Sequence, residues 1–172
     1  GVNTSATQEI TITVNNIDDA DNFTHNVGDA YQLIDGGIGT DTLIINGDGT
    51  DTILIEDAAT YNARTTSSIA DGHFLVSVNG VLSIDAVNIE TINLNLNTGD
   101  ILTINGDFSS TTLTSQPFIL DATESPSVDI GGITSDHGVT NITGTAGADT
   151  ISGGSGDDQI NGTAGNDNLT GA

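Results

Sequence analysis

A nine-residue repeat near the end of the chain restricts the possible folds more than any other feature. Residues 144–170 divide into three consecutive blocks, GTAGADTIS, GGSGDDQIN and GTAGNDNLT. Each block has glycine at its first and fourth places, aspartate at its sixth and a branched aliphatic at its eighth. A flexible linker has no reason to keep an aliphatic side chain at a fixed interval. The repeat therefore predicts short strands and turns stacked in register.

The residue types of the repeat suit calcium. Glycine turns leave room for backbone carbonyls to point at an ion, and calcium takes about 6–8 oxygen ligands from carboxylates and carbonyls. One block offers too few oxygens, so stacked turns must share each ion. Asp149, Asp158 and Asp167 are the predicted carboxylate ligands.

The three blocks, 144–152, 153–161 and 162–170, resemble the hemolysin-type, or RTX (repeats-in-toxin), calcium-binding nonapeptide, a parallel β-helix repeat. The resemblance implies that two nonapeptides form one coil, so turns two repeats apart share an ion. It thereby pairs Asp149 with Asp167, whereas Asp158 needs partners outside the three blocks. The turn residues that it implies as further ligands are Gly144, Ala146, Gly147, Gly153, Ser155, Gly156, Gly162, Ala164 and Gly165.

Two more copies of the turn occur upstream, as GGIGTD at 36–41 and GDGTD at 47–51. Their aspartates, Asp41 and Asp51, are ten residues apart instead of nine, which indicates an insertion in one coil. Both are candidate calcium ligands. The alternative is a pair of turns in which each aspartate caps backbone groups.

The aliphatic register extends further upstream than the aspartate register. Counting back by nines from Ile151 reaches Ile142 and Ile133, but Thr140 and Gly131 stand where aspartate is expected. These blocks are predicted to stack as coils with weak or absent ion sites.

Charge limits the partners of the chain. Its 172 residues contain 24 Asp and Glu against one strong base, Arg64, for a net charge of −23. Such a chain cannot cover a phosphate backbone and avoids an anionic membrane, and no apolar run is long enough to insert into a bilayer. Self-repulsion opposes a compact state, yet the 35% hydrophobic content opposes disorder. Folding conditional on a divalent ion reconciles the two.

Three regions are predicted. Residues 1–19 contain the strand-like QEITITVNN and an acidic turn, and they look like the end of an immunoglobulin- or cadherin-like extender domain or a linker; the alternative is the first strand of the second region. Residues 20–132 are predicted to form a degenerate β-solenoid with an excursion near 57–73, and then a hairpin through Asn79-Gly80. Residues 133–172 hold the repeats.

Catalytic motifs are absent from the sequence. There is no cysteine, no lysine and no GxSxG elbow. His25, His73 and His137 share no metal-ligand spacing and are expected at the surface or in loops. We therefore expect a protein that is not an enzyme.

The predicted fold is all-β: a right-handed parallel β-solenoid ending in a calcium-binding β-roll. The resemblance implies a fragment of a large secreted or surface-attached bacterial RTX protein of the adhesin type, with Ca2+ as cofactor. Its expected partners are calcium, neighbouring domains of the same chain and an unidentified host-surface or biofilm ligand. One alternative is the non-catalytic tail of a type I-secreted hydrolase, lyase or epimerase. Another is a module that binds glycan, peptide or ice on the solenoid face.

Overall fold

Strands dominate the computed structural model, which describes residues 10–13, 19–113, 118–120, 127–135, 141–143, 147–152 and 159–170. The described part has one short helix, α1 (Ala58–Arg64), and a 3₁₀ turn (Phe108–Ser110). The prediction of an all-β protein is confirmed. The strands are β1 (Ile10–Thr13), β2 (Asn22–Asn26), β3 (Gln32–Asp35), β4 (Thr42–Asn46), β5 (Thr52–Asp57), β6 (Phe74–Val78), β7 (Val81–Val87), β8 (Thr91–Asn95), β9 (Ile101–Asp107), β10 (Phe118–Leu120), β11 (Ser127–Ser135), β12 (Asn141–Thr143), β13 (Thr150–Ser152), β14 (Gln159–Asn161) and β15 (Asn168–Thr170).

From β1 to β11 the strands alternate between two larger sheets, except that β5, β6 and β7 follow one another in the same sheet. One sheet has the order β1-β3-β7-β6-β5-β9-β11-β13-β15, the second has the order β10-β8-β4-β2, and β12 pairs with β14. Because β4 lies in one sheet and both β3 and β5 lie in the other, the chain turns at each end of β4. These turns are where the aspartates of the sequence motifs lie.

The core forms between the two larger sheets because apolar residues alternate along the strands. In β4, Leu43 and Ile45 are completely buried, whereas Thr42 on the opposite face is partly exposed. Parallel pairing aligns the buried residues of neighbouring strands, so that Leu43 lies between Phe23 and Ile92. Each such aliphatic side chain contributes roughly 1.5–3 kcal/mol when it leaves water.

An antiparallel strand interrupts the parallel pairing of the larger sheet. Strand β6 runs antiparallel to both β5 and β7, and it joins β7 through Asn79 and Gly80, which have φ values of 51° and 79°. The predicted hairpin is therefore confirmed. The prediction of a right-handed parallel β-solenoid is wrong, because this hairpin inserts β6 between β5 and β7 and the sheets are not a regular coil.

Helix α1 comes directly after β5, within the segment 57–73 where the sequence predicts an excursion. Asp57 caps the helix, and its Oδ2 accepts a hydrogen bond from the Ala59 amide at 2.9 Å. Tyr61 and Leu75 form a small apolar cluster beneath the helix, separate from the main core.

The aliphatic residues of the three repeats differ in burial. Ile151 is buried in the main core and Ile160 packs against it. Leu169, on the last strand of the sheet, is 43% exposed. The register expected from counting by nines fails further upstream, because Ile151 pairs with Val128 instead of Ile133. Strand β11 also has an irregularity in its pairing with β9, between Asp129 and Gly132. The predicted region boundaries at 19/20 and 132/133 stay predictions.

Candidate metal centre

Asp149 and Asp167 occupy equivalent positions, each directly before a strand of the larger sheet. The backbone N–H of Asp149 donates to Oδ1 of Asp167 over 3.1 Å. In return, the N–H of Asn168 donates to the carbonyl of Asp149 over 2.8 Å. Asp149 is 2% exposed. The two aspartates that the repeat pairs, 18 residues apart, therefore meet in adjacent turns.

Glycines let these two turns approach each other. A methyl group on Gly165 would overlap the carbonyl oxygen of Gly147, and one on Gly162 would overlap Oδ2 of Asp167. Gly165 also has φ +133°, which side chains disfavour. Carbonyl and carboxylate oxygens thus gather without side chains between them, and such oxygens are the ligands that calcium prefers.

The same arrangement recurs outside the repeats, at the turns before β5 and β9. The N–H of Asp51 donates to Oδ1 of Asp100 over 3.0 Å, and the N–H of Ile101 donates to the carbonyl of Asp51 over 2.8 Å. A methyl group on Gly99 would overlap the carbonyl oxygen of Gly49. The backbone therefore repeats the geometry of the Asp149–Asp167 turns.

Asp48, Asp51 and Asp100 form an acidic cluster at these turns, each offering an oxygen within 4.8 Å of the others. The buried oxygens of this cluster already accept N–H donors. Oδ1 and Oδ2 of Asp100 accept the amides of Gly49 and Asn97 over 2.9 and 2.8 Å. Oδ1 and Oδ2 of Asp51 accept Nδ2 of Asn79 over 2.7 Å and the Asp48 amide over 3.3 Å. Backbone donors thus offset much of the negative charge.

Exposed Asp48 lies at the rim of this cluster. Hydrogen bonds from Thr50, and then contact with Asp51, hold the pKa of Asp48 below its ordinary value. Asp48 is therefore an accessible carboxylate that stays ionised to lower pH than an ordinary aspartate.

Carboxylates also stack at the opposite end of β4. The N–H of Asp21 donates to Oδ1 of Asp41 over 2.9 Å, and the N–H of Asp41 donates to Oε2 of Glu90 over 2.7 Å. Partial burial, and then the nearby charges of Asp19 and Asp41, raises the pKa of Asp21. These three carboxylates precede β2, β4 and β8 in the four-stranded sheet.

Sequence reasoning named Asp41 and Asp51 as ligands but missed their partners Glu90 and Asp100. Asp41 and Asp51 do not meet, because the five residues of β4, about 17 Å, lie between them. Their partners Glu90 and Asp100 each lie 49 residues further along the chain. The only signal for Asp100 is its place after Thr98-Gly99 and before an apolar run; Glu90 has none.

Several predicted ligands lie outside the described residues, namely Gly144, Ala146, Gly153, Ser155, Gly156 and Asp158. Their role in binding calcium stays a prediction. Ala164 is described and is exposed in the last turn.

Two histidines lie in defined environments. His25 is completely buried in β2, which contradicts its expected surface position; Phe23 and His25 both face the core because they alternate with polar residues. Its Nδ1 lies 3.2 Å from Oε1 of Gln32, and burial lowers its pKa. Nδ1 of His73 lies 2.6 Å from Oδ1 of Asp85.

The end of the chain matches a known family of repeats. Residues 138–171 match the RTX calcium-binding nonapeptide repeat, in four copies. Comparisons with curated proteins and with solved structures gave no match. Among the described residues, no helix is long and apolar enough to cross a membrane.

Proposed function

We propose that this chain, which carries RTX calcium-binding repeats at residues 138–171, is a calcium-dependent structural and adhesion module of a secreted or surface-attached bacterial protein. RTX repeats imply calcium binding and occur in secreted bacterial proteins. Calcium is the cofactor, and the module has no catalytic activity of its own.

The observation that carries the proposal is the contact between the Asp149 and Asp167 turns. The Asp149 amide donates to the Asp167 carboxylate over 3.1 Å, and the glycine at 165 leaves out a side chain that would overlap the Gly147 carbonyl. Asp149 and Asp167 supply charged ligands, and the turn carbonyls complete the oxygen set. In the sequence, Asp158 has the equivalent position in the intervening block.

Charge makes calcium a folding switch in this proposal. At a net charge of −23 the chain repels itself, so low calcium in the cytosol keeps the repeats open for passage through a type I secretion channel. Outside the cell, roughly millimolar calcium matches the ~10⁻⁴–10⁻³ M affinities of extracellular modules. Binding then closes the nonapeptide turns into a β-roll, because ligand oxygens gather only in the folded state.

A second candidate is the calcium-binding tail of a secreted hydrolase, lyase or epimerase. RTX repeats occur in enzymes and in non-enzymes alike, so the parent protein decides between the two. Tandem extender domains upstream support the adhesin, and a catalytic motif upstream supports the enzyme. A glycan and peptide array, read with and without calcium, tests for a ligand on the module itself.

Calcium titration by calorimetry tests the proposal. We compare the unaltered chain with the double variant Asp149→Asn/Asp167→Asn, which preserves side-chain size and removes two charges. The matched control is Asp71→Asn, at an exposed aspartate. The double variant is expected to bind at least one calcium ion fewer per chain, and the control the same number as the unaltered chain. Equal binding by all three proteins would refute calcium binding at this pair.

A further inference from the structure

The outer face of the four-stranded sheet carries no charged side chain on β2, β4 or β8. Residues alternate along these strands between the core and the outside. The outward positions hold amides, hydroxyls and one aliphatic side chain, namely Asn22, Thr24, Asn26, Thr42, Ile44, Asn46, Thr91, Asn93 and Asn95. In a chain with a net charge of −23, this neutral face differs from the acidic turns at both ends of its strands.

This face is accessible to solvent. The three outward residues of β2 are exposed, and those of β4 and β8 are partly exposed. Helix α1 packs against β5, β6 and β9, which belong to the nine-stranded sheet. Parallel pairing places the outward residues of β2, β4 and β8 in rows, with adjacent strands roughly 4.7–4.9 Å apart. The face is therefore a regular array of polar groups that a ligand can reach.

The asparagines of one row form a hydrogen-bonded ladder. Nδ2 of Asn95 donates to Oδ1 of Asn46 over 2.8 Å, and Nδ2 of Asn46 donates to Oδ1 of Asn26 over 2.9 Å. Nδ2 of Asn26 in turn donates to Oδ2 of Asp29 over 3.2 Å. The ladder fixes the orientation of the amides, so a ligand that binds them does not bear the cost of immobilising them.

The ladder leaves hydrogen-bonding capacity on its amides. An asparagine side chain has two N–H donors and two oxygen lone pairs. Within the described residues, Asn26 and Asn46 each use one donor and one lone pair in the ladder, so each retains one donor and one lone pair. A donor beside an acceptor suits a hydroxyl group, which accepts one hydrogen bond and donates another.

Charge and polarity together decide the kind of partner. Acidic turns border the face, with Asp41 before β4 and Asp48 after it, so an anionic ligand is repelled. A second copy of the chain brings the same negative charge. In addition, Ile44 is the one large apolar side chain among the outward residues of β2, β4 and β8, whereas the core of a protein–protein interface is rich in aromatic and apolar residues. A neutral polymer rich in hydroxyl groups avoids both costs.

We propose that the outer face of β2, β4 and β8 binds an extended neutral polysaccharide, whose hydroxyl groups hydrogen-bond to the row Asn26–Asn46–Asn95 and whose C–H groups lie over Ile44. Adjacent strands are roughly 4.7–4.9 Å apart, close to the length of one pyranose unit in an extended chain, so successive sugars meet successive strands. The inference rests on the adhesion part of the proposed function and names its partner.

Calorimetric titration of the full chain with cellohexaose and with mannohexaose, in millimolar calcium, tests the face. Asn46→Ala breaks the ladder at its centre. The matched control is Asn105→Ala, at a half-buried asparagine on the outward face of β9 in the nine-stranded sheet. The unaltered chain and the control are expected to bind at least one of the two oligosaccharides equally well. Asn46→Ala is expected to bind it on the order of tenfold more weakly, because hydrogen bonds of the row are lost.

A second variant covers the case in which Asn46→Ala does not fold, as judged by circular dichroism. Asn26 is exposed at the end of the ladder on β2, and Asn26→Ala leaves the hydrogen bond between Asn46 and Asn95 in place. This variant is expected to fold and to bind the oligosaccharide several-fold more weakly than the unaltered chain does.

The outcomes separate this inference from the calcium proposal. Absence of binding to both neutral oligosaccharides overturns the inference, and so does equal weakening by Asn105→Ala or unchanged affinity in Asn46→Ala and Asn26→Ala. Stronger binding of an anionic oligomannuronate overturns it too, because this face is expected to repel anions. None of these results bears on calcium binding at Asp149 and Asp167. If the double variant of that pair binds as much calcium as the unaltered chain while the oligosaccharide still binds, the calcium proposal fails instead.

Discussion

The burial of His25 makes the stability of the folded protein depend on pH. His25 lies in the core of the protein, and burial lowers its pKa from the ordinary 6.5. Unfolded His25 therefore takes up a proton near pH 6.5 and folded His25 does not, so acid favours the unfolded state. Stability conferred by neutral His25 is fully present above about pH 6.5 and decreases as pH falls below it.

Replacing this histidine tests the effect. His25→Gln is expected to flatten the loss of unfolding free energy between pH 7 and pH 5, although it also lowers stability at pH 7 through altered packing. Urea unfolding in EDTA provides the measurement, since calcium binding then makes no contribution. A slope against pH that equals that of the unaltered chain would mean that His25 has an ordinary pKa.

Both the lack of space around Gly165 and its positive φ disfavour any other residue at this position. Alanine there would take φ +133° and would overlap the Gly147 carbonyl, so the turns before β13 and β15 would separate. We expect Gly165→Ala to weaken calcium binding on the order of tenfold or more, a change of about 1.4 kcal/mol. Calorimetric titration measures it.

Gly80→Ala is the matched control for this substitution. Gly80 also has a positive φ, +79°, but a methyl group there would meet no atom within 4 Å. It therefore carries the backbone cost without the steric overlap. Equal effects of both substitutions on calcium affinity would contradict the close approach of the turns.

An ion pair between Arg64 and Glu56 connects the end of α1 to β5. The Glu56 side chain is 3% exposed and that of Arg64 is 46% exposed, and Nε and Nη2 of Arg64 both donate to the carboxylate. Removing Arg64 leaves a buried charge without its partner. Because Arg64 is half exposed, we expect Arg64→Gln to cost about 1–3 kcal/mol, below the range for a fully buried pair.

A double-mutant cycle separates this cost from side-chain packing. Glu56→Gln/Arg64→Gln removes both charges and is expected to be more stable than the sum of the single losses implies, in urea unfolding at constant calcium. Strictly additive losses would show that the two side chains contribute independently.

Local elements of this fold can be predicted from sequence more readily than their partners can. Asn79-Gly80 specifies a hairpin within four residues, because both positions favour positive φ. The pairing of β5 with β9 has no such local signal, since 49 residues separate Asp51 from Asp100. The inserted helix and hairpin remove any fixed period, so Glu90 and Asp100 could not be assigned to their turns.

In the repeats, by contrast, residues that are distant in sequence can be paired from the sequence alone. A constant nine-residue period brings Asp149 beside Asp167, as predicted, because an unchanged period gives each strand the same neighbour two blocks later. The period fails at β11, where Ile151 pairs with Val128 instead of Ile133. Sequence alone does not reveal such a shift.

The molecule has a body with a large apolar core and an end that carries the RTX calcium-binding repeats. The core is made mainly of residues 23–113, with Ile151 as its contribution from the repeats. We therefore expect the body to keep its strands when calcium is removed, whereas the repeats depend on ions for neutralisation of charge and for closure of their turns.

Hydrogen–deuterium exchange measured by mass spectrometry, in calcium and in EDTA, tests this account most directly. Amides at residues 147–152 and 159–170 are expected to be protected in millimolar calcium and to exchange rapidly in EDTA. Amides of the buried strands β4 and β5 are expected to stay protected in both. Equal protection of the repeat amides with and without calcium would contradict the calcium-dependent closure on which the proposed function rests.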